Sequence, residues 1–598
     1  MKLRIAFRGV LTLAFLWGMI YAVVIAAVAI AQAFEVFPSA LGMNSLILFP
    51  VLITIGIVIL QFLISPWLLD LNFRWLYKMT WIDPMNLPPH LAQFISDQSE
   101  LHGISIKKIG MIHDQMPTAL TYGRFKKNAR LVLSDGILNL LTPEEQIGVV
   151  GHELGHIAHR DFVFMTLAAA VPMILYTFYL FSRGFLISMR YVRTSGKNNP
   201  MAAIAVFALV LLVLSYVFYL ISQFLVLFLS RVREYYADRF SGEETRNPKG
   251  LSTALVKIAY GMVQTQAQYA TTMNNEKVDR RQRTREYRRL GFTNATRSLN
   301  IFDIKAAQGL IMTAYAQSTI GEVDPEMVVK AAAWDLESPW AAFLELQSTH
   351  PLAAKRLLEL DDLSVDMGMK RTFPSLGVDQ IKETLWDEFL VDLFLAYVVP
   401  TLIFLLPVAG GLSFIYEAAP SMYSWLGLAG GCGIAGLLWI WRTRVKFPKL
   451  DEDLPQISIM GAVTDVSDDG YAEASPFRGK PIRLQGTIIG RGTPGYYFSE
   501  DVVLQDPSGI ITLDYNPVFG FMRWITALFR IDKLIGNQVD IIGWYRRTPR
   551  PVVMIKRLES TTQTLRSNKN VFNWIIAGIL LLAAVVFAFL SIPNVLPF

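Results

Sequence analysis

Cysteine is nearly absent from this chain, because Cys432 is the single cysteine among 598 residues. One cysteine excludes an intrachain disulfide and also excludes a metal site built from several thiolates. Charged residues are scarce as well, at 17% against 53% apolar residues, whereas soluble domains carry roughly a quarter charged residues. The mean hydropathy of +0.37 agrees with this balance. The composition therefore indicates a membrane protein.

Histidine is also rare, with seven in the chain, yet three of them fall within residues 152–159. His152, Glu153 and His156 form a His-Glu-x-x-His sequence. On a helix, the two histidines lie one turn apart on one face and can bind one zinc ion, with Glu153 as general base. The predicted helix begins at an N-cap, a first-turn proline and a capping-box glutamate, which are Thr142, Pro143 and Glu145. The alternative is a surface helix that carries two histidines without a metal.

The third zinc ligand is predicted from the spacing of apolar segments. Two such segments, 162–181 and 202–229, follow the histidines, and each is long enough to cross a hydrocarbon core of ~30 Å. Two crossings return the chain to the side it left, where Glu234 becomes available as a ligand. Asp238, one turn further, shares the face of Glu234 and is predicted to support a histidine ligand. Without the hairpin, this segment would more simply be a salt-bridged surface helix.

Three motifs follow one another in a fixed order: Gly-His-Glu-Leu-Gly-His (151–156), Arg-Glu-Tyr-Tyr-Ala-Asp (233–238) and Ser-Thr-His-Pro-Leu-Ala-Ala-Lys-Arg-Leu (348–357). With the hydrophobic pair between the first two, the chain from about 110 to 360 resembles the membrane-embedded zinc peptidases that include the type I CAAX prenyl protease and the heat-shock protease HtpX. The resemblance implies one Zn²⁺ ion per chain, catalysis by Glu153, and ligands that are His152, His156 and Glu234. It also implies that His350 and Arg356 lie near the cleft and help to hold the substrate or the oxyanion.

The sequence leaves open which strand binds the substrate. Family members often carry Asn-Ala-Phe-Ala-x-Gly before the catalytic helix, whereas residues 118–123 read Thr-Ala-Leu-Thr-Tyr-Gly, so the amide that would grip the substrate backbone is missing. Residues 130–133 predict a strand, followed by a turn at 134–136. This strand either binds an extended peptide as an additional strand or is an ordinary internal strand.

Seven membrane spans are predicted in total. They are residues 5–33, 46–69, 162–181, 202–229, 389–414, 425–440 and 574–590. Lysine and arginine precede the first span, follow the second and sixth, and precede the seventh, which predicts a cytoplasmic N-terminus and active site in the inner or plasma membrane. Basic residues in the turn after the third span argue for the opposite orientation. The first span is predicted to be a retained anchor; a signal peptide is the alternative.

The segment after residue 446 predicts a separate β domain. Its five strand-like runs are 482–489, 502–505, 510–515, 539–545 and 552–555, with an apolar stretch at 518–529 between the third and fourth. This pattern suggests an OB-like barrel. Such barrels often bind nucleic acid, and candidate residues are Tyr496, Tyr497, Trp544, Arg546 and Arg547. Its place between two spans favours a membrane-surface or substrate-docking role instead. The basic segment 277–289 is interpreted as a solvated loop or a lipid-binding segment.

The predicted fold class is a membrane α-helical protein of about seven spans with a mainly helical cytoplasmic zinc-peptidase domain and a C-terminal OB-like β-barrel. The predicted domains are two transmembrane helices (1–70), the peptidase domain with its transmembrane hairpin (71–386), a second hairpin (387–445), the OB-like domain (446–565) and a final transmembrane helix (571–592). We expect an endopeptidase that cleaves membrane or membrane-associated proteins in quality control. The alternatives are a processing protease for lipidated C-terminal tails and a pseudo-protease scaffold. Expected partners are protein or peptide substrates and the lipid bilayer; nucleic acid is not expected, and the oligomeric state stays open.

Overall fold

The structure is a computed structural model that describes residues 11–24, 43–189, 200–274, 325–377, 385–414, 422–464, 474–491, 501–517, 530–548 and 551–592, apart from single positions in those ranges. Several predicted features lie outside the described residues: the basic segment 277–289, the apolar stretch 518–529, Tyr496 and Tyr497, and most of the first span. Within that span, the described residues include an apolar helix, α1 (Ala14–Val24).

A helical domain with a small mixed sheet follows. Its first elements are α2 (Met43–Leu76), β1 (Thr80–Ile82), α3 (Pro89–His102), β2 (Ile109–Ile112), β3 (Ala119–Gly123), β4 (Ala129–Ser134), α4 (Asp135–Leu140) and α5 (Pro143–Ala158), with 3₁₀ turns at Pro84–Asn86 and Lys126–Asn128. The chain continues through α6 (Asp161–Met189), α7 (Pro200–Thr245), α8 (Pro248–Asn274), α9 (Pro325–Glu337), α10 (Pro339–Glu345) and α11 (Ala353–Asp366). Apolar side chains of β4 and α5 share one core, among them the fully buried Leu131, Leu133, Leu154 and Ile157.

The strand order of this sheet is β1-β2-β4-β3, with β2 and β4 parallel and the other pairs antiparallel. The predicted strand at 130–133 is therefore β4, which is bonded to strands on both sides and has no free edge for a peptide. Of the two interpretations of this strand, the internal one is correct. Within the described sheet, the edge strand on that side is β3, the segment that departs from the family pattern.

Six described helices are long and apolar enough to cross a membrane. They are α2 over Ile55–Trp75, α6, α7 over Ile204–Thr245, α12 (Trp386–Gly411), α13 (Met422–Lys446) and α15 (Lys569–Leu590). A π-helical turn at Phe394–Val398 interrupts α12. Large apolar side chains such as Phe404 and Leu582 are exposed on these helices, as lipid-facing residues are. Each of the last six predicted spans corresponds to one of these helices.

The C-terminal barrel follows α14 (Ile459–Thr464) and consists of β5 (Lys480–Arg491), β6 (Val502–Asp506), β7 (Gly509–Asp514), β8 (Gln538–Arg546) and β9 (Val552–Ser560). The strands close in the order β5-β6-β7-β9-β8 and back to β5. Only the β7–β9 pair is parallel among these pairings. The five predicted strands and the barrel are confirmed. A short strand that pairs with β9, β10 (Thr564–Arg566), and α14 were not predicted.

The barrel packs against the peptidase domain at one end of the membrane helices. Arg547 donates a hydrogen bond of 2.9 Å from Nη2 to the carbonyl oxygen of Ala331 in α9. Ser475, just before β5, donates from Oγ to Oδ2 of Asp392 in the first turns of α12, at 2.6 Å. Because α12 and α13 form a hairpin and α15 leaves the barrel, the barrel lies where these helices emerge on the peptidase side.

Candidate metal centre

Helix α5 positions the two histidines of the His-Glu-x-x-His sequence. Its N-terminus has the predicted capping box: the Thr142 N–H donates to Glu145 Oε2 at 2.9 Å, and the Glu145 N–H donates to Thr142 Oγ1 at 3.4 Å. One turn apart on the buried face, His152 and His156 bring their Nε2 atoms within 3.1 Å of each other. The side chain of His152 is fully buried.

Glycines on α5 let α7 approach closely enough to complete the cluster. A Cβ added at Gly155 would lie 3.0 Å from Cα of Ala237, and one at Gly151 would lie 3.0 Å from Oγ of Ser241. This contact brings Glu234 of α7 beside the imidazoles, with Oε2 3.6 Å from His152 Nε2 and Oε1 3.6 Å from His156 Nε2. The apolar hairpin of α6 and α7 thus returns Glu234 to the histidines, as the spacing predicts.

The donor set fits a single zinc ion. Ligand atoms of His152, His156 and Glu234 all lie within 4.8 Å of one another. Each histidine Nδ1 lies beside a carboxylate, so Nδ1 carries the proton and the two Nε2 lone pairs face each other across 3.1 Å. Oε2 of Glu234 is buried, has no hydrogen-bond partner among the described residues, and lies 3.7 Å from Nη1 of Arg356. Two lone pairs and one carboxylate that converge in a buried space need a cation between them.

Carboxylates orient both imidazoles from behind. Asp238 lies 2.8 Å from His152 Nδ1, and Asp161 lies 2.6 Å from His156 Nδ1. Asp238 in turn accepts a fork of two hydrogen bonds from the fully buried Arg356, at 2.8 and 2.6 Å. Such contacts fix the tautomer and the ring orientation of a metal ligand.

Asp161 was not found by sequence reasoning. The sequence signal that could have identified it is its position: a carboxylate five residues after His156, just beyond the end of α5. Asp161 also pairs with Arg233, whose Nη2 donates to the carbonyl oxygen of His159 at 3.0 Å. His159 itself faces Tyr236 and Phe240 and takes no part in the cluster.

Glu153 lies beside the histidines on α5 and has one hydroxyl partner, Thr121 of the edge strand β3. The Thr121 Oγ1 donates to Glu153 Oε2 at 3.0 Å. Burial raises the pKa of Glu153 to about 7 and lowers the pKa of His152 to about 4. At neutral pH His152 is therefore a neutral imidazole, the form in which histidine binds a metal. Thr121 was also missed, because the family pattern places alanine at this position.

The third motif contributes two residues in different places. His350, in the loop before α11, lies with its Nε2 3.7 Å from Glu234 Oε1 and lines the cavity in front of the cluster. Arg356, in α11, lies behind His152 and does not line that cavity. The cavity has a volume of about 360 Å³. Its walls include Glu153, His156 and Glu234, the β3 residues Thr121, Tyr122 and Gly123, and apolar residues of α2, α6 and α7.

Of the barrel residues considered for nucleic acid, the three that the structure describes do not form an exposed surface. Trp544, Arg546 and Arg547 are each at most 5% exposed. Arg546 donates to the carbonyl oxygens of Phe477 and Lys446, and Trp544 donates to that of Pro448 at 2.9 Å. These side chains hold the barrel to neighbouring segments and leave little of their own surface for stacking or pairing with a nucleic acid.

The sequence profile of peptidase family M48 matches residues 88–364. The "Protease HtpX homolog" of Methanothermobacter thermautotrophicus is 33% identical over 258 residues, which are 43% of this chain and 85% of that protein. The homologue of Aeropyrum pernix is 27% identical over 319 residues, 53% of this chain and 86% of that protein. The homologue of Methanocaldococcus jannaschii is 34% identical over 178 residues, 29% of this chain and 59% of that protein.

Among solved structures, the crystal structure of S. mikatae Ste24p aligns with 60% of this chain and 65% of that chain. The sequence identity is 17% and the TM-score is 0.28.

Proposed function

This chain belongs to peptidase family M48, and from that premise we propose that it is a zinc-dependent endopeptidase that hydrolyses membrane or membrane-associated proteins. The observation that carries the proposal is the buried pair of Nε2 atoms, 3.1 Å apart, that faces the carboxylate of Glu234. The six long apolar helices among the described residues make the chain an integral multi-pass membrane protein, so the cluster lies close to the bilayer.

The zinc ligands in this proposal are His152, His156 and Glu234. Three protein ligands leave a fourth position open, which is the arrangement of catalytic rather than structural zinc sites. A zinc ion bound there would lower the pKa of water toward about 7 and polarise the carbonyl of the scissile bond.

Glu153 is the general base. It accepts a proton from the attacking water and then passes that proton to the leaving amine. A carboxylate beside the proposed zinc ligands suits both steps, since it can take up a proton and release it again. Thr121 acts on Glu153 as a positioning residue, because its hydroxyl holds one carboxylate oxygen.

His350 and Arg356 take different roles. His350 lines the cavity, so we assign it the hydrogen bond to the oxyanion of the tetrahedral intermediate. Arg356 acts through Asp238, which orients His152, and is a positioning residue rather than a substrate contact. Asp161 holds His156 in the same way.

The substrate in this proposal is an extended segment of a membrane protein. Edge strand β3 offers free backbone groups to such a segment, as in other strand-addition complexes. The apolar side of the cavity consists of Phe62, Leu69, Met165, Val226 and Leu227, which come from membrane helices. A cavity wall that consists of membrane-helix residues suits a membrane-protein substrate, and we include a role in quality control in the proposal on that ground.

The lysine and arginine residues beside the ends of the predicted spans support a cytoplasmic active site in the inner or plasma membrane. Orientation can be tested with Glu144→Cys, an exposed position on α5, in a Cys432→Ala background. We expect an impermeant maleimide to label this variant only after the cells are permeabilised. Labelling in intact cells would place the site outside.

The activity is tested with purified full-length protein, a denatured model substrate such as casein, and self-cleavage on release into detergent. We expect Glu153→Gln to lower hydrolysis by roughly 10²- to 10⁴-fold at unchanged zinc content. Glu144→Gln, an exposed change on the same helix, is the matched control and should keep full activity. If Glu153→Gln cleaves as the wild type does, the chain is not a peptidase of this mechanism and a scaffold role gains.

Zinc content is measured in parallel on Glu234→Ala. We expect loss of the ion after mild dialysis, whereas wild type keeps about one per chain. Unchanged stoichiometry and affinity would reject Glu234 as the third ligand.

A further inference from the structure

A second cavity, which we call the basic cavity, lies where the barrel meets the membrane helices. Its volume is about 840 Å³, within the range of about 300–1,000 Å³ that small-molecule sites occupy. One wall is the C-terminal end of α13 and the segment after it, and another is the N-terminal end of α15. The rest of the lining comes from barrel strands β8, β9 and β10.

The charge of this lining is strongly unbalanced. Five cationic side chains line the cavity, against Asp451 as the single carboxylate among the lining residues. The cations are Arg444, Lys449, Lys556, Arg557 and Arg566. Asp451 is taken up by Lys449 at 3.4 Å, and both groups are largely exposed. Arg557 pairs with Glu559, just outside the lining, at 3.4 Å. The positive charge that remains without a carboxylate partner is that of Arg444, Lys556 and Arg566.

Two of these cations stand out. Within the part of the chain that the structure describes, the side chains of Arg444 and Arg566 make no hydrogen bond or ion pair, and both are exposed. Lys556 has only neutral partners, the carbonyl oxygen of Ser567 at 3.2 Å and Asn570 Oδ1 at 2.9 Å. Burial and the nearby Arg566 lower the pKa of Lys556. An anion in this cavity would relieve that repulsion.

The N-terminus of α15 adds to the positive potential. Asn568, its N-cap residue, makes no side-chain capping hydrogen bond, and both Asn568 and Asn570 line the cavity. The backbone N–H groups of the first turn and the helix dipole favour an anion at such an end.

The cavity also lies at the level of the membrane surface. Helices α13 and α15 run antiparallel, since Trp425 near the start of α13 stacks on Phe587 near the end of α15 with ring centroids 5.9 Å apart. Their opposite ends, at Arg444 and Trp574, therefore share one membrane face. Trp441 and Trp574 are 43% and 40% exposed there, as aromatic residues at a bilayer surface are. The remaining wall is apolar and includes Phe447, Leu450 and Trp544.

We propose that the basic cavity binds a phosphate-bearing anion, with Arg444 and Arg566 as its main charge partners. Two sources share this chemistry: the headgroup of an anionic phospholipid and a soluble phosphate compound. The position between membrane helices and the mixed basic and apolar lining favour the phospholipid, since basic pockets beside membrane helices bind such headgroups. This site is separate from the metal centre and does not depend on the proposed peptidase activity.

The test uses the full-length protein in a neutral detergent and titrates three probes. They are short-chain phosphatidylglycerol, short-chain phosphatidylcholine as the neutral lipid, and glycerol 3-phosphate as the soluble phosphate. Binding is followed by the fluorescence of the chain's tryptophans, of which Trp544 and Trp574 line the cavity. We expect phosphatidylglycerol to bind much more tightly than phosphatidylcholine, with an affinity that falls as salt is raised.

The double variant Arg444→Gln/Arg566→Gln should lose about 20-fold in affinity for phosphatidylglycerol, since each cation near an anionic surface contributes roughly fivefold. The matched control is Arg530→Gln/Lys533→Gln, which removes two exposed cations from the same barrel away from the cavity. Its affinity should equal that of the wild type. All four positions substituted in the variant and its control are exposed, and a melting curve verifies that each variant is folded.

The outcomes separate the sources and can overturn the proposal. Binding of phosphatidylglycerol that glycerol 3-phosphate does not displace identifies a lipid site. Binding of glycerol 3-phosphate with similar affinity, also lost in the double variant, identifies a soluble phosphate ligand. Equal losses in the double variant and in the control, or no preference for phosphatidylglycerol over phosphatidylcholine, would overturn the proposal.

Discussion

The metal centre and the basic cavity differ in how far their charged side chains are buried and paired. In the metal centre, His152, Asp238 and Arg356 are buried, and each lies within hydrogen-bonding distance of another member of the set. In the basic cavity, Arg444 and Arg566 are exposed and have no counter-charge among the described residues. A closed, dry network fixes atoms to within tenths of an ångström, as chemistry requires. Open, unpaired cations retain their affinity for an incoming anion, as binding requires.

A third place lies between these extremes, at the contact of the peptidase domain with the barrel. Asp335 of α9 is 2% exposed, and neither of its carboxylate oxygens has a hydrogen-bond partner. Arg547 of the barrel is its strongest favourable charge, and two of the guanidinium nitrogens also lack partners. The charged groups at this contact are buried, as in the metal centre, but their polar atoms are only partly paired, as in the basic cavity.

The largest effect is expected from opening the closed network. Arg356→Gln leaves Asp238 buried without its cation and should destabilise the folded protein by about 3–5 kcal/mol, as removal of one partner of a buried pair does. Arg356→Lys keeps the charge but not the fork, so an intermediate loss is expected. The measurement is thermal unfolding in detergent. Arg371→Gln, which breaks an exposed pair with Asp362, should cost under about 1 kcal/mol. Equal losses of stability in Arg356→Gln and Arg371→Gln would contradict the difference between the buried and the exposed pair.

A somewhat smaller effect on the stability of the folded protein is expected at Asp335, and it depends on pH. Burial raises its pKa from 3.8 to about 6 in the folded protein, so the folded state binds the proton more tightly than the unfolded state. Stability is therefore lost as the pH rises from about 4 through 6, by about 3 kcal/mol for this group. Melting curves from pH 4 to 8 should show this loss in wild type and not in Asp335→Asn. The exposed change Asp366→Asn should follow wild type. Parallel curves for wild type and Asp335→Asn would contradict the assignment.

A smaller effect is expected at the contact of Thr121 with Glu153. Thr121→Val removes the hydroxyl while keeping the shape, and should lower kcat about tenfold with KM unchanged, because a hydrogen bond to a charged group contributes about 1.5–3 kcal/mol. Thr121→Ser keeps the hydroxyl and should restore most of the rate. A rise of KM alone would show that the side chain contacts substrate instead.

The smallest effect is expected in the open cavity. Lys449 is 90% exposed on its side chain and already lies beside Asp451. Lys449→Gln should leave the melting temperature unchanged and weaken binding of phosphatidylglycerol less than either Arg444→Gln or Arg566→Gln alone, because screening reduces an exposed charge. A loss larger than that of the two arginines would move the centre of the site toward Lys449.

Local patterns in the sequence predicted much of the helical scaffold and the cluster. The capping box at Thr142 and the absence of proline inside α5 were sufficient for a helix, and its period put His152 and His156 on one face. The apolar lengths of α6 and α7 were sufficient to return Glu234 to them. Strand alternation likewise revealed the five barrel strands, because it is a local property.

Contacts between distant segments were not predictable in the same way. Strand 130–133 could be identified, but its internal place in the sheet depends on pairing with β2 and β3, which no local pattern encodes. The same limit explains why Trp544, Arg546 and Arg547 looked available for a ligand until their burial was known. Arg356 was placed near the cleft by its motif, whereas its direction follows from how α11 packs on α7.

The sequence by itself determined a membrane protein with a His-Glu-x-x-His helix, a returning carboxylate and a β domain between two spans, because hydrophobic length and periodicity are written along the chain. Tertiary structure alone decided that Asp161 orients His156, that Thr121 contacts Glu153, and that five cations surround one cavity. Those arrangements arise where separate elements meet, and the free energy of packing, not local propensity, selects which side chains face each other there.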